Sequence, residues 1–148
     1  MNIQFRIIAF NELTLHELYA IMTLRSTVFV VEQNCVYQDL DNKDQKALHL
    51  IGECDNKIVA YSRLFKPGDY FDLACIGRVV IDAEYRDKKW GHLLVQAGIK
   101  GILNHYSENK IKISAQLYLK KFYVTNGFVA QGEIYLEDDI DHIEMVLG

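Results

Sequence analysis

Residues Ile76 to Leu94 read IGRVVIDAEYRDKKWGHLL, and their three parts predict a strand, a cationic turn and a helix in direct succession. Ile76, Val79, Val80 and Ile81 form a short, β-branched apolar run of the kind that fills a buried strand. After Asp82 the period changes to 3.6, with Trp90, Leu93, Leu94 and Ala97 on one face, so the helix begins near Lys89 to Gly91. The first N–H groups of a helix have no partner inside it and carry the positive end of the macrodipole. Arg86, Lys88 and Lys89 stand beside them, which makes this junction an anion site.

Outward from that junction, size and composition narrow the classes. A chain of 148 residues, half of them hydrophobic, buries enough surface to fold without a metal or disulfide staple, and predicts one α+β or mixed α/β domain over residues 1–148. The net charge of −4 argues against a nucleic-acid partner, which calls for a basic surplus. Three widely spaced cysteines, Cys35, Cys54 and Cys75, with no C-x-x-C pair and no secretory leader, read as reduced thiols in a cytoplasm. No apolar run approaches the ~18 residues that span a bilayer, so no membrane partner is expected.

On the N-terminal side, Ile3 to Phe10 alternates as a half-buried strand. Thr14 and Glu17 then form a capping box for a helix carrying Leu18, Ile21, Met22, Arg25, Val28 and Phe29 at helical spacing. Arg25 falls on the apolar stripe, where a guanidinium needs an acceptor, and Glu32, two turns on, is the nearest in sequence. That pairing holds the helix end; the other reading puts Glu32 at the edge of a substrate pocket. Asp39, Asp41 and Asp44 suggest a calcium loop, but Lys43 at the fifth position, no glycine at the sixth and no glutamate at the twelfth exclude it, leaving no metal site. Ala47 to Cys54 and Ile58 to Phe65 predict a hairpin around Asp55-Asn56-Lys57, with His49 on the first strand.

On the C-terminal side, the helix from Gly91 runs to about Asn104, and its Gly98 and Gly101 predict close packing on a sheet. Ile111 to Ser114 reads as a short strand and Ala115 to Asn126 as a short helix ended by Gly127. Phe128 to Tyr135 and His142 to Leu147 read as closing strands joined by the acidic turn Glu137-Asp138-Asp139. Exposed strand edges suit a homodimer.

Three of these stretches together resemble the GNAT acetyltransferases. Arg86-Asp87-Lys88-Lys89-Trp90-Gly91 is similar to the family's acetyl-CoA pyrophosphate loop, R/Q-x-x-G-x-G/A, with Gly91 in the last position and Lys89 where the first glycine is usual. LRSTVFVVEQNCVYQDLDNKD, from Leu24 to Asp44, is similar to the signature of the ElaA-type branch, which also carries a lysine in that loop position. AQLYLKKFYVTNGF resembles the second family motif, in which a tyrosine stands where Tyr123 does. The resemblance implies a mostly antiparallel central sheet of about six to seven strands with a splayed parallel pair and flanking helices. It also implies acetyl-CoA as cosubstrate and direct transfer of its acetyl group to a primary amine of a small molecule or peptide.

Such a transfer requires the thioester oxygen polarised, the amine deprotonated and the thiolate reprotonated. The resemblance assigns the oxygen to backbone N–H groups of Val79, Val80 and Ile81, the pyrophosphate to residues 86–92 from Arg86 through Asp87, Lys88, Lys89, Trp90 and Gly91 to His92, and the leaving sulfur to Tyr123 as general acid. Glu32, His49 and His142 all have the chemistry of a base or of a substrate pocket, and a water chain could replace all three. Arg63 and Arg78 either present positive charge to an acidic acceptor group or are structural. A lactone-forming acyltransferase of the acyl-homoserine-lactone-synthase type and a non-enzymatic CoA-binding sensor are the alternative functions.

Overall fold

The computed structural model describes residues 2–148 and holds one seven-stranded sheet in the order β1-β2-β3-β4-β5-β7-β6. The strands are β1 (Gln4–Ala9), β2 (Leu48–Cys54), β3 (Lys57–Phe65), β4 (Ala74–Ile81), β5 (Ile111–Gln116), β6 (Val129–Glu137) and β7 (Ile140–Leu147). All neighbours are antiparallel except β4 and β5, which run parallel. Two residue pairs, Ala74 with Ile111 and Cys75 with Lys112, hold them together before they part. The mixed sheet with one splayed parallel pair is the expected architecture.

Helices cover both faces. On one, α1 (Leu15–Arg25) starts at the expected capping box: Thr14 N–H donates to Glu17 at 2.8 Å and Glu17 N–H to the Thr14 hydroxyl at 3.1 Å. Its Ile21 and Leu24, with Val28, pack on Ile51, Tyr61 and Val80. On the other face, α2 (Trp90–Tyr106) buries Leu94, Val95 and Ile102 against Leu64, Ile76 and Ile113. Gly101 makes that approach close: a β-carbon there would stand 2.5 Å from Ile7 Cδ1.

The β2–β3 and β6–β7 hairpins each close on two residues with positive φ, Asp55-Asn56 at 51° and 63° and Asp138-Asp139 at 52° and 61°. That is the left-handed pair whose twist suits a two-residue connection, and Asp and Asn tolerate it.

Two elements differ from expectation. Strand β5 runs on through Ala115 and Gln116, and only Lys120–Thr125 is α-helical (α3). The segment Ser26–Glu32 continues α1 as a π-helix, in which Cys35 N–H reaches back to the Val30 carbonyl at 3.0 Å. This wider winding rotates Glu32 off the stripe that holds Arg25.

Candidate active site

Where β4 and β5 part, a cleft of about 520 Å³ opens between the C-terminal half of β4 and the strands β5 and β7. Val79 and Ile81 line it; Val80 does not, because its side chain is buried on the α1 face. The backbone follows the same alternation. Asp82 N–H donates to the Val59 carbonyl at 2.8 Å, so Val80 N–H also turns to β3, while the N–H groups of Val79 and Ile81 point into the cleft. The oxygen-binding role expected of all three residues is thus open to two.

At the floor of the cleft the chain passes through a 3-10 turn (Ala83–Lys88) into α2. Lys89, in the usual glycine position, takes the left-handed conformation itself, φ 59° and ψ 27°, and offers no side-chain cap to the helix. The first N–H groups of α2 are therefore uncapped by any side chain. Arg86, Lys89, Gly91 and His92 line the cleft. Asp87 and Lys88 are exposed outside it and the Trp90 ring is buried against Tyr85, so these three can contribute backbone only. The set of donors fits a diphosphate: an uncapped helix start flanked by Lys89 and by Arg86, whose Nη1 meets Glu32 and whose Nε donates to the Ile81 carbonyl at 3.1 Å, leaving Nη2 without a partner among the described residues.

Tyr123 lines the cleft from α3 with 6% of its surface exposed, its ring edge-on to Phe122 and Phe128. Burial, then the neighbouring Tyr118 and Cys75, push its phenol well above the ordinary range, so it keeps its proton.

The three candidate bases separate cleanly. His49 is fully buried away from the cleft: Nε2–H donates to the Asp44 carbonyl at 2.9 Å, so Nδ1 accepts from the Tyr61 hydroxyl at 2.7 Å. Burial holds its pKa below the ordinary value, and with both nitrogens engaged it is a structural residue, which corrects its candidacy. Glu32 is at the cleft but is paired with Arg86 Nη1 at 2.6 Å, not with Arg25. His142 lines the cleft from β7; Nδ1–H donates to the Ile140 carbonyl at 2.7 Å, which turns the Nε2 lone pair outward, 3.4 Å from Glu137 Oε2. Tyr135 stacks on the His142 ring and shares a short hydrogen bond with Ser114, which donates to Glu137 at 3.4 Å.

Behind Arg78, which lines the cleft, the acidic segment forms a network of arginine acceptors. Arg25 donates to Asp39 at 2.8 Å and Asp44 at 2.9 Å, and Arg63 donates to Asp44 at 2.8 Å and to Asp41 at 2.5 and 2.8 Å. Arg78 stands 2.8 Å from Asp39 Oδ1 and donates to the Asp39 carbonyl at 3.0 Å. Asp39, Asp41 and Asp44 are thus arginine acceptors, and Arg63 and Arg78 are engaged within the chain rather than offered to an acceptor. Sequence reading missed this network, as it missed Glu137, Ser114 and Tyr135 around His142; the acidic turn beside a strand histidine was the available signal for the second.

The chain matches the family model described as an acetyltransferase (GNAT) domain over residues 18–148. It is 38% identical to protein ElaA of Escherichia coli (strain K12) over 137 residues, covering 91% of this chain and 90% of that protein. The crystal structure of Escherichia coli ElaA superposes with a TM-score of 0.92 at 35% identity, covering 99% of this chain and 100% of that one. An acyl-CoA N-acyltransferase from Pseudomonas aeruginosa does so with a TM-score of 0.92 at 38% identity and the same coverage.

Proposed function

The chain belongs to the GNAT acetyltransferase family, and from that premise we propose that it transfers an acetyl group from acetyl-CoA directly to a primary amine. The observation that carries this reading is the meeting, in one cleft, of the free N–H edge of β4 and the uncapped start of α2. The helix start with Arg86 and Lys89 suits the diphosphate, and the Val79 and Ile81 N–H groups suit the thioester oxygen as charge develops on it.

The proton account closes on named side chains. His142 Nε2 takes one proton from the acceptor ammonium and passes it to solvent. The amine nitrogen then bonds to the acetyl carbonyl carbon, the carbon–sulfur bond breaks, and the departing thiolate takes a proton from Tyr123. The nitrogen, still carrying one proton too many for an amide, restores it to Tyr123. The products are the N-acetylated amine, CoA thiol and one released proton.

Acetyl-CoA and CoA are expected to raise the melting temperature well above any effect of NAD or ATP, since pantetheine as well as diphosphate is recognised. Binding only to the folded state stabilises it by about 2.7 kcal/mol at a hundredfold excess over Kd. An equal response to all four would reduce the junction to a general anion site. A screen of primary amines for CoA-thiol release then tests turnover; binding without release on any amine would favour a CoA-binding sensor.

A further inference from the structure

The far end of the cleft, at the β6–β7 turn, carries negative charge that the chain itself leaves uncompensated. Of the cleft's arginines, Arg78 is engaged by Asp39 and Asp41, while Arg86, paired with Glu32, stands with Lys89 at the opposite, phosphate-loop end. Glu137 has a 3.4 Å contact with His142 Nε2 and a 3.4 Å hydrogen bond from Ser114. Asp138, an exposed residue that also lines the cleft, is in no ion pair among the described residues. Its charge, after burial, helps hold the nearby Cys35 thiol above its ordinary pKa. A second, independent feature faces the same space. His142 is 5% exposed, spends Nδ1–H on the Ile140 carbonyl, and presents Nε2 to the cleft with no hydrogen-bond donor assigned to it among the described residues. A nitrogen lone pair that opens on the cleft beside a carboxylate receives an N–H donor; an anion would meet Glu137 at close range.

The transferred nitrogen cannot offset both carboxylates, because it must lose its proton to attack and ends as a neutral amide. A group that stays charged can. We propose that the acceptor is a linear aliphatic diamine or polyamine, with the reacting amine at His142 beside Glu137 and a second ammonium, unchanged by the reaction, resting on Asp138. This rests on the acetyl-transfer reading above and names the substrate class for the same site.

Three acceptors of one carbon length test it: 1,4-diaminobutane, 4-amino-1-butanol and 4-aminobutanoate, which carry a cation, a neutral group and an anion at the far end. With CoA-thiol release as the readout, kcat/KM is expected to fall in that order, with roughly tenfold or more between the diamine and the alcohol. Asp138→Asn is expected to narrow that gap several-fold, and raised salt to narrow it too. Asparagine tolerates the positive φ of 52° at this turn position, so the fold should survive. An equal or reversed preference, or an undiminished gap in the variant, overturns the proposal. Acetyl-CoA binding measured by titration separates the two readings. No transfer to any of the three by a protein that binds acetyl-CoA overturns the diamine acceptor alone, whereas failure to bind acetyl-CoA removes the reading beneath it as well.

Discussion

A phenol can protonate a departing thiolate only while it still holds its own proton, and a histidine can accept one only through a nitrogen that nothing else occupies. Burial secures the first condition at Tyr123, and the Ile140 carbonyl secures the second at His142 by fixing the tautomer. His49 fails it, with the Asp44 carbonyl and the Tyr61 hydroxyl taking both nitrogens. In sequence these two strand histidines look alike, since periodicity reports which face a side chain takes and not what meets its ring. Tyr123→Phe keeps the ring between Phe122 and Phe128, and His142→Gln keeps a polar group at the cleft wall. Both variants are expected to bind acetyl-CoA as the parent does while kcat falls by about 10²-fold, the low end for general acid–base catalysis because a thiolate leaves readily. Titration and steady-state rates measured side by side check this. Parental turnover in either variant would remove that residue from the chemistry.

The junction from β4 through the turn into α2 was legible because each of its signals is local. A β-branched run, a cluster of cations and the onset of a 3.6 period lie within nineteen consecutive residues and need no distant partner. The conformation of Lys89 was not legible, because a left-handed residue other than glycine costs about 1–2 kcal/mol and nothing in its own side chain asks for that conformation. The turn imposes it. Strand β5 shows the opposite failure: Ala115 and Gln116 read as the start of a helix, yet they pair with Ile143 and His142, strand partners from the far end of the chain. At Gly91 an added β-carbon would meet the Phe122 ring at 3.4 Å, an ordinary contact, so the fold has room for a small side chain there. Gly91→Val adds two further methyls at the first turn of α2, beside the exposed N–H groups. CoA affinity is expected to drop roughly tenfold, about 1.4 kcal/mol, with little change in melting temperature. Isothermal titration decides it; unchanged affinity in a folded variant would place the diphosphate elsewhere.

Contacts that join distant parts of the molecule were the least legible. Glu32 is the acceptor nearest to Arg25 in sequence, but the π-helical turn swings Glu32 to Arg86 and the fold brings Asp39 and Asp44 to Arg25 instead. Arg63 and Arg78 draw on the same acidic segment, so residues 39–44 tie α1, β3 and β4 together and hold Arg78 in place at the cleft. This makes stability depend on acid. Burial tends to raise the Asp41 pKa, but the hydrogen bond and charge of Arg63, then the charge of Arg78, prevail and hold it at about 2, against an ordinary value of 3.8. Asp44 is lowered in the same way by Arg25 and Arg63. Between the two values the unfolded chain binds more protons than the folded one, so this stabilisation is complete above about pH 4 and is lost as pH falls through about 2. His49 acts earlier. Its folded pKa lies below 6.5, so its contribution is complete above that pH and erodes below it. The melting temperature is therefore expected to decline gently below about pH 6.5 and steeply below about pH 4. Asp41→Asn removes the acceptor of a buried guanidinium whose Nε already has no hydrogen-bond partner among the described residues. At neutral pH the variant should be about 1–3 kcal/mol less stable than the parent. Since a protonated aspartate resembles asparagine, that difference should shrink as both are taken toward pH 2. Denaturant melts of the two proteins across this range measure it directly, and a constant gap would mean that Asp41 does not carry its charge into the folded cluster.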